Sequence, residues 1–274
     1  MAPDTQIGRE AAAASPVTPV EGPSWLTRLR VRFPQTGLGR AGEFARAPIK
    51  PPTRHEPGEL VALSGADLYR LNCQSCHEAD GTGFPPEVGS IVQAVRDSSV
   101  ELMHRHDPQR GRATDGHAVH QLPRQADGEI RRRIRQGGDR MPARPHLDDG
   151  EIDALMAHLR LLADLPDASR GQIRVAASVF RLGEHLVKGT CHICHDATGP
   201  RVTASELWRG AIPAIDSFVR QASLSELVQK VRAGTQITAG AFPPTGRGRM
   251  RVFSYLTPDE VAAAYVYLVV YPPR

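Results

Sequence analysis

The sequence predicts an all-α fold in which two copies of one small helical domain follow an extended, largely irregular N-terminal tail. Three observations lead there. From residue 60 the chain repeats itself in three blocks that keep their order, the mark of a duplicated unit. Each block carries helical periodicity and helix-end signals. All four cysteines fall in two CxxCH stretches at equivalent places in the copies, Cys73-Gln-Ser-Cys76-His77 and Cys191-His-Ile-Cys194-His195. The boundaries that follow are a tail over 1–59, a first domain over 60–164, a linker over 165–172 and a second domain over 173–274.

The tail is rich in Ala, Pro, Gly and Thr and ends in PIKPPTRHEPGE, a composition that favours extended, solvated chain. Within it Trp25, Leu26, Leu29, Val31 and Phe33 form an apolar cluster expected to pack on the folded part. The opening MAPDTQIGRE has neither the basic start nor the apolar core of a signal peptide. The expectation is therefore a sequence that begins after a cleaved leader, or whose start is placed too late.

The repeat is read by aligning Gly65 with Gly183, which also sets Leu68 on Leu186, Cys73 on Cys191, Cys76 on Cys194, His77 on His195 and Gly81 on Gly199. EIRRRIRQG (129–137) then falls on ELVQKVRAG (226–234), and MPARPHLDDGEIDALMAHL (141–159) on MRVFSYLTPDEVAAAYVYL (250–268). The blocks GADLYRLN and GEHLVKGT predict short helices just before the cysteines. The middle blocks carry apolar residues one turn apart (Ile130 and Ile134; Leu227 and Val231) and end in glycine, a helix stop. The last blocks open on Asp148-x-x-Glu151 and on Thr257-Pro258-Asp259-Glu260, N-cap signals for amphipathic helices bearing Ile152, Leu155, Met156 and Leu159, or Val261, Ala264, Tyr265 and Leu268. No strand pattern is evident, and 164–172 (DLPDASRGQ) predicts a linker.

The formal charge of +4 is a mild excess. Ten arginines lie in 101–145, among them Arg131, Arg132, Arg133 and Arg135 beside Ile130 and Ile134. They predict first the solvated face of a helix, and second a docking face for an acidic partner. No fold motif or aromatic stacking pattern accompanies the charge, which argues against nucleic acid. No apolar run is long enough to cross a bilayer.

Two CxxCH stretches admit three chemistries. A zinc site joining both pairs would span two repeats and leave both trailing histidines without a role. A thioredoxin-like pair needs a βαβ setting that the pattern does not supply. Covalent haem uses every element: two thiols on one helical turn form thioethers with the vinyl groups, and the next residue, His77 or His195, is held beneath the iron. The duplicated motif favours haem and consumes all four cysteines. For the sixth position, Met141 and Met250 are the only methionines that match between copies, and both lie in polar, glycine-rich loops where core filler is not needed. A thioether is a soft iron ligand that raises the potential. Met103 and Met156 are read as core filler.

With these residues in place, the repeats resemble tandem class I cytochrome c domains, as in dihaem c-type cytochromes, over roughly residues 60–271. The resemblance implies two covalently attached haem c groups. Cys73, Cys76 and His77 with Met141 would serve the first, and Cys191, Cys194 and His195 with Met250 the second. It implies crossed N- and C-terminal helices, a carrier of single electrons between respiratory redox partners (a donor and an oxidase or reductase), and a place in the periplasm or on the outer face of the cell envelope. A proline often follows the methionine in such domains; Pro142 fits and Arg251 departs. A proline carbonyl often orients the proximal histidine, with Pro85 or Pro86 and Pro213 in position to do so. His192 cannot face the same iron as His195 and is read as a surface side chain. His104, His106, His117 and His120 lie in an insert of the first repeat and are read as solvent-facing, with a copper site or alternative haem ligand as the sharper reading. Rival readings are a peroxidase-like dihaem enzyme with one open iron, and a cytochrome subunit of a larger respiratory complex. A thiosulfate-oxidising type needs an extra cysteine ligand, which is lacking.

Overall fold

The computed structural model describes residues 60–84, 87–99, 116–138, 141–165, 168, 172–199, 203, 205–206, 211–217, 222–234 and 250–271, and of 116–124 the backbone alone. The predicted tail and its Trp25–Phe33 cluster lie outside these residues, as do Pro85, Pro86, Met103, His104 and His106. In chain order the elements are β1 (Leu60–Ser64), α1 (Gly65–Asn72), α2 (Gln74–His77), α3 (Ile91–Asp97), α4 (Gly116–Gln136), α5 (Asp149–Leu162), β2 (Arg174–Ser178), α6 (Val179–Gly189), a 3-10 turn (Cys191–Ile193), α7 (Leu224–Ala233) and α8 (Pro258–Val270). The fold is mostly helical, consistent with a cytochrome c fold.

The helix ends follow local chemistry. Asp148 with Glu151 and Thr257 with Glu260 close capping boxes at α5 and α8, the latter with Pro258 in its first turn. Ser64 with Asp67 and Ser223 with Glu226 close two more, at α1 and α7. Gly137 and Gly234 follow α4 and α7 at φ 77° and 81°, the left-handed region that a side chain rarely enters.

The core is organised by two helix crossings. α1 packs on α5 and α6 on α8, and each contact is made through a glycine. A Cβ on Gly65 would overlap the Ala154 carbonyl and come within 2.7 Å of His158 Cβ. One on Gly183 would overlap the Ala263 carbonyl and come within 2.7 Å of Tyr267 Cβ. Around these crossings lie Leu68, Leu71, Ile152, Leu155 and Met156, and Leu186, Val261, Tyr265 and Leu268, in one continuous apolar cluster.

Two expectations change. The strand-free reading is corrected: β1 and β2 pair antiparallel, centred on Ala62 opposite Ala176. Each strand ends in the serine that caps the next helix, Ser64 or Ser178, so equivalent segments face one another. The helix before the second cysteine pair is not short, since α6 starts a full turn ahead of Gly183 whereas α1 starts at Gly65. Among the described residues of the predicted linker, Leu165 packs on the core, and Gln172 Nε2 donates to the carbonyls of Ala157 and Ala168, both at 3.1 Å. Met156 is core filler, as expected. The arginine run is a solvated face engaged within the chain: Arg132 and Arg133 pair with Glu129, Arg131 with Asp127 and Asp153, and Arg135 with Asp149. Among the described residues no helix is long and apolar enough to cross a membrane.

Candidate haem attachment sites

Each CxxCH begins where a packed helix ends. Cys73 N–H donates to the Tyr69 carbonyl at 2.8 Å, closing α1. Cys76 and His77 N–H then donate back to the Cys73 carbonyl at 3.1 and 2.9 Å. The second stretch repeats the turn: Cys194 and His195 N–H donate to the Cys191 carbonyl at 3.2 and 3.0 Å. Thus both pairs of thiols and both histidines sit on one turn of helical backbone, held by α1 and α6.

None of the four cysteines is in a disulfide. Burial pushes the Cys73 and Cys191 thiols up to about 12. A redox-active CxxC works by the opposite shift, toward thiolate, so these pairs lack the electrostatics of a thioredoxin-like site. Among the described residues no three His, Cys, Asp or Glu side chains gather as a metal would require, which leaves the joined zinc site without a donor set.

The two motif histidines differ in how their Nδ1 atoms are partnered. His195 is buried, and its Nδ1 lies 2.7 Å from the Pro213 carbonyl. A carbonyl only accepts, so a proton sits on Nδ1. His77 Nδ1 is buried, with the Gly89 backbone nearby. Burial lowers the pKa of His77, with the Gly89 backbone pulling the other way and Arg144 adding to the fall. A neutral imidazole is the state that binds iron. His192 is not the surface side chain expected: it is half-buried, and its Nδ1 lies 3.2 Å from the His195 carbonyl, bracing the turn. His117 and His120 fall on α4, but their side chains lie outside the described residues.

Met141 and Met250 are both partly buried against the apolar core. Each starts a loop tied down in the same way. Arg144 N–H donates to the Ile134 carbonyl at 2.8 Å, and Phe253 N–H to the Val231 carbonyl at 2.8 Å. Gly137 makes room for the first loop, because a Cβ there would press on the Met141 carbonyl and on Ala143 N, 2.8 Å away. Thiols on one turn, an imidazole with its tautomer set and a thioether loop packed on the core suit a covalently held haem.

Several participants have no sequence signal, since they act across the repeats. Buried Arg144 donates from Nη2 to the Gly189 carbonyl at 3.1 Å and from Nε to the Asn72 carbonyl at 3.3 Å. Thr190 Oγ1 donates to the Leu71 carbonyl at 2.7 Å. The segments that lead into the two cysteine pairs therefore lie directly against one another. Nearby, buried Glu151 receives His185 Nε2 at 3.0 Å and the Nε and Nη2 donors of Arg181. Burial pushes the Glu151 carboxyl up, but the His185 and Arg181 hydrogen bonds outweigh it and hold it at about 2.

Residues 61–159 match the family described as Cytochrome C oxidase, cbb3-type, subunit III. The match takes in the first CxxCH and Met141 and supports a c-type cytochrome, that is, covalently bound haem c and haem-based electron transfer with redox partners. No curated protein and no solved structure matches the chain.

Proposed function

We propose that the chain is a dihaem electron carrier built as two tandem cytochrome c domains, working in the periplasm or on the outer face of the cell envelope between respiratory redox partners. The first domain spans 60–164 and the second 173–274. Cys73 and Cys76 hold one haem and Cys191 and Cys194 the other. His77 with Met141 would bind the first iron, and His195 with Met250 the second. The haems supply the reversible one-electron iron couple; the rest is the work of the side chains. The thioethers keep the group from leaving, and the core around the helix crossings excludes water. Pro213 keeps His195 in one tautomer. A methionine held through both oxidation states keeps reorganisation small and the potential high.

The observation that carries this reading is the hydrogen bond from His195 Nδ1 to the Pro213 carbonyl at 2.7 Å. It gives the second CxxCH an oriented ligand histidine, outside the stretch matched by the family. The decisive experiment is haem content, by pyridine haemochrome and by mass of the denatured chain. Two haems per chain are expected, with two low-spin His/Met spectra and no carbon monoxide binding when reduced. One haem per chain refutes the dihaem reading, and carbon monoxide uptake turns it toward the peroxidase-like enzyme.

The description of the matched family favours a second reading, a cytochrome subunit of a larger respiratory complex. Mild-detergent purification from native membranes separates the two. Stoichiometric recovery of oxidase subunits supports the complex, and recovery of the chain alone supports a free shuttle.

A further inference from the structure

The two methionine loops are anchored alike from their third residue onward and differ immediately after the methionine. The first has Pro142, whose ring limits the backbone. The second has Arg251, and its side chain leaves its own repeat. Nη1 donates to the Ser75 carbonyl at 2.9 Å, and Nη2 lies 3.4 Å from Glu78 Oε1. The guanidinium centre stands 5.2 Å from the centroid of the Phe84 ring. Ser75 and Glu78 bracket Cys76 and His77, and the Ser75 carbonyl belongs to the last turn of α2, where carbonyls lack helical partners and a cation is favoured.

We propose that Arg251 is a positioning residue that ties the loop of the second iron's methionine to the attachment turn of the first haem. This rests on the dihaem His/Met reading. The clamp restrains the residue next to Met250 in place of the proline carried by the first loop. It also sets a positive charge beside Cys76 and His77. One side chain thereby acts on both centres: on the second by holding its sixth ligand, and on the first by favouring the reduced, less positive iron.

The test uses the full-length dihaem protein with Met250→Ala, Arg251→Gln and Arg251→Lys variants. It reads the methionine-to-ferric-iron charge-transfer band, imidazole affinity and both midpoint potentials. Met250→Ala identifies the second haem by removing half of the band. If it removes none, the ligand assignment is wrong and the proposal falls with it. Given the assignment, Arg251→Gln is expected to raise imidazole affinity at the second haem about fivefold, the scale of losing one partly exposed charge-assisted contact. The same variant lowers the first haem's potential. Arg251→Lys keeps the charge but not the fork, so it restores the first potential and leaves imidazole affinity raised. An Arg251→Gln protein with wild-type affinity and wild-type potentials overturns the proposal while the dihaem reading stands.

Discussion

His146 shows how a single buried residue sets a pH response. Its Nε2 lies 2.9 Å from Asn72 Oδ1, its ring centroid is 5.8 Å from that of His185, and it is buried. Burial, the neighbouring His185, and Arg181 lower its pKa to about 3, with Lys188 adding to the fall and Glu184 opposing it. In the unfolded chain the ring takes a proton near pH 6.5, whereas in the folded protein it stays neutral until about pH 3. The unfolded state therefore binds one more proton across that window, and stability falls as pH drops through it, by about 1.4 kcal/mol per pH unit. Glu151, held at about 2, adds a loss of the same sign at lower pH. His146→Gln, which can still reach Asn72, is expected to flatten the decline between pH 6.5 and 4.5. Urea midpoints of variant and wild type across that range check it; parallel slopes would mean that His146 is not the titrating group.

At the scale of elements, the crossings of α1 with α5 and of α6 with α8 are the most constrained features. Gly183→Ala sets a methyl against the Ala263 carbonyl and Tyr267 Cβ, both parts of a packed helix that cannot rotate aside. The helices must separate, at a cost of about 2 kcal/mol typical of overpacked cores. Urea unfolding of Gly183→Ala and Gly65→Ala is expected to show similar losses, and an unchanged midpoint would mean that the crossing adapts. The caps at Asp148 and Thr257 and the stops at Gly137 and Gly234 were legible in the sequence because each depends on residues within one turn; Gly65 and Gly183 were matched by the repeat, but their place at the crossings was not legible. Nor was the strand pair. LVALS and RVAAS are five residues each and lack alternation, and each finds its partner more than a hundred positions away. The meaning of Arg251 was hidden for the same reason: its departure from Pro142 could be read, but Ser75, Glu78 and Phe84 are its neighbours only in the folded chain. Pro213 was legible through the family resemblance alone, since nothing local marks a carbonyl as a histidine's partner.

For the whole molecule, the question is whether the repeats behave as one cooperative body. The apolar cluster runs through both, β1 pairs with β2, Arg70 pairs with Glu260, and Arg181 with Glu151. A close approach is at Gly189, where a Cβ would overlap Asn72 Oδ1 and lie 2.8 Å from both Asn72 Cα and the Leu71 carbonyl. The Asn72 side chain can turn aside, but the two backbone atoms cannot. Gly189→Ala would push the two attachment segments apart and stretch the Arg144 and Thr190 bridges, without touching either helix crossing. Wild-type holoprotein is expected to unfold in urea as a single transition, with far-ultraviolet circular dichroism and the Soret absorption changing together, the signature of one cooperative unit. In Gly189→Ala the dichroism is expected to split into two steps as each repeat unfolds by itself. A variant that keeps one coincident transition at the wild-type midpoint would place the cooperativity in the β1–β2 pair and the part-buried ion pairs instead. In that case paired disruption of Arg70–Glu260 and Arg181–Glu151 should divide the transition where the glycine did not.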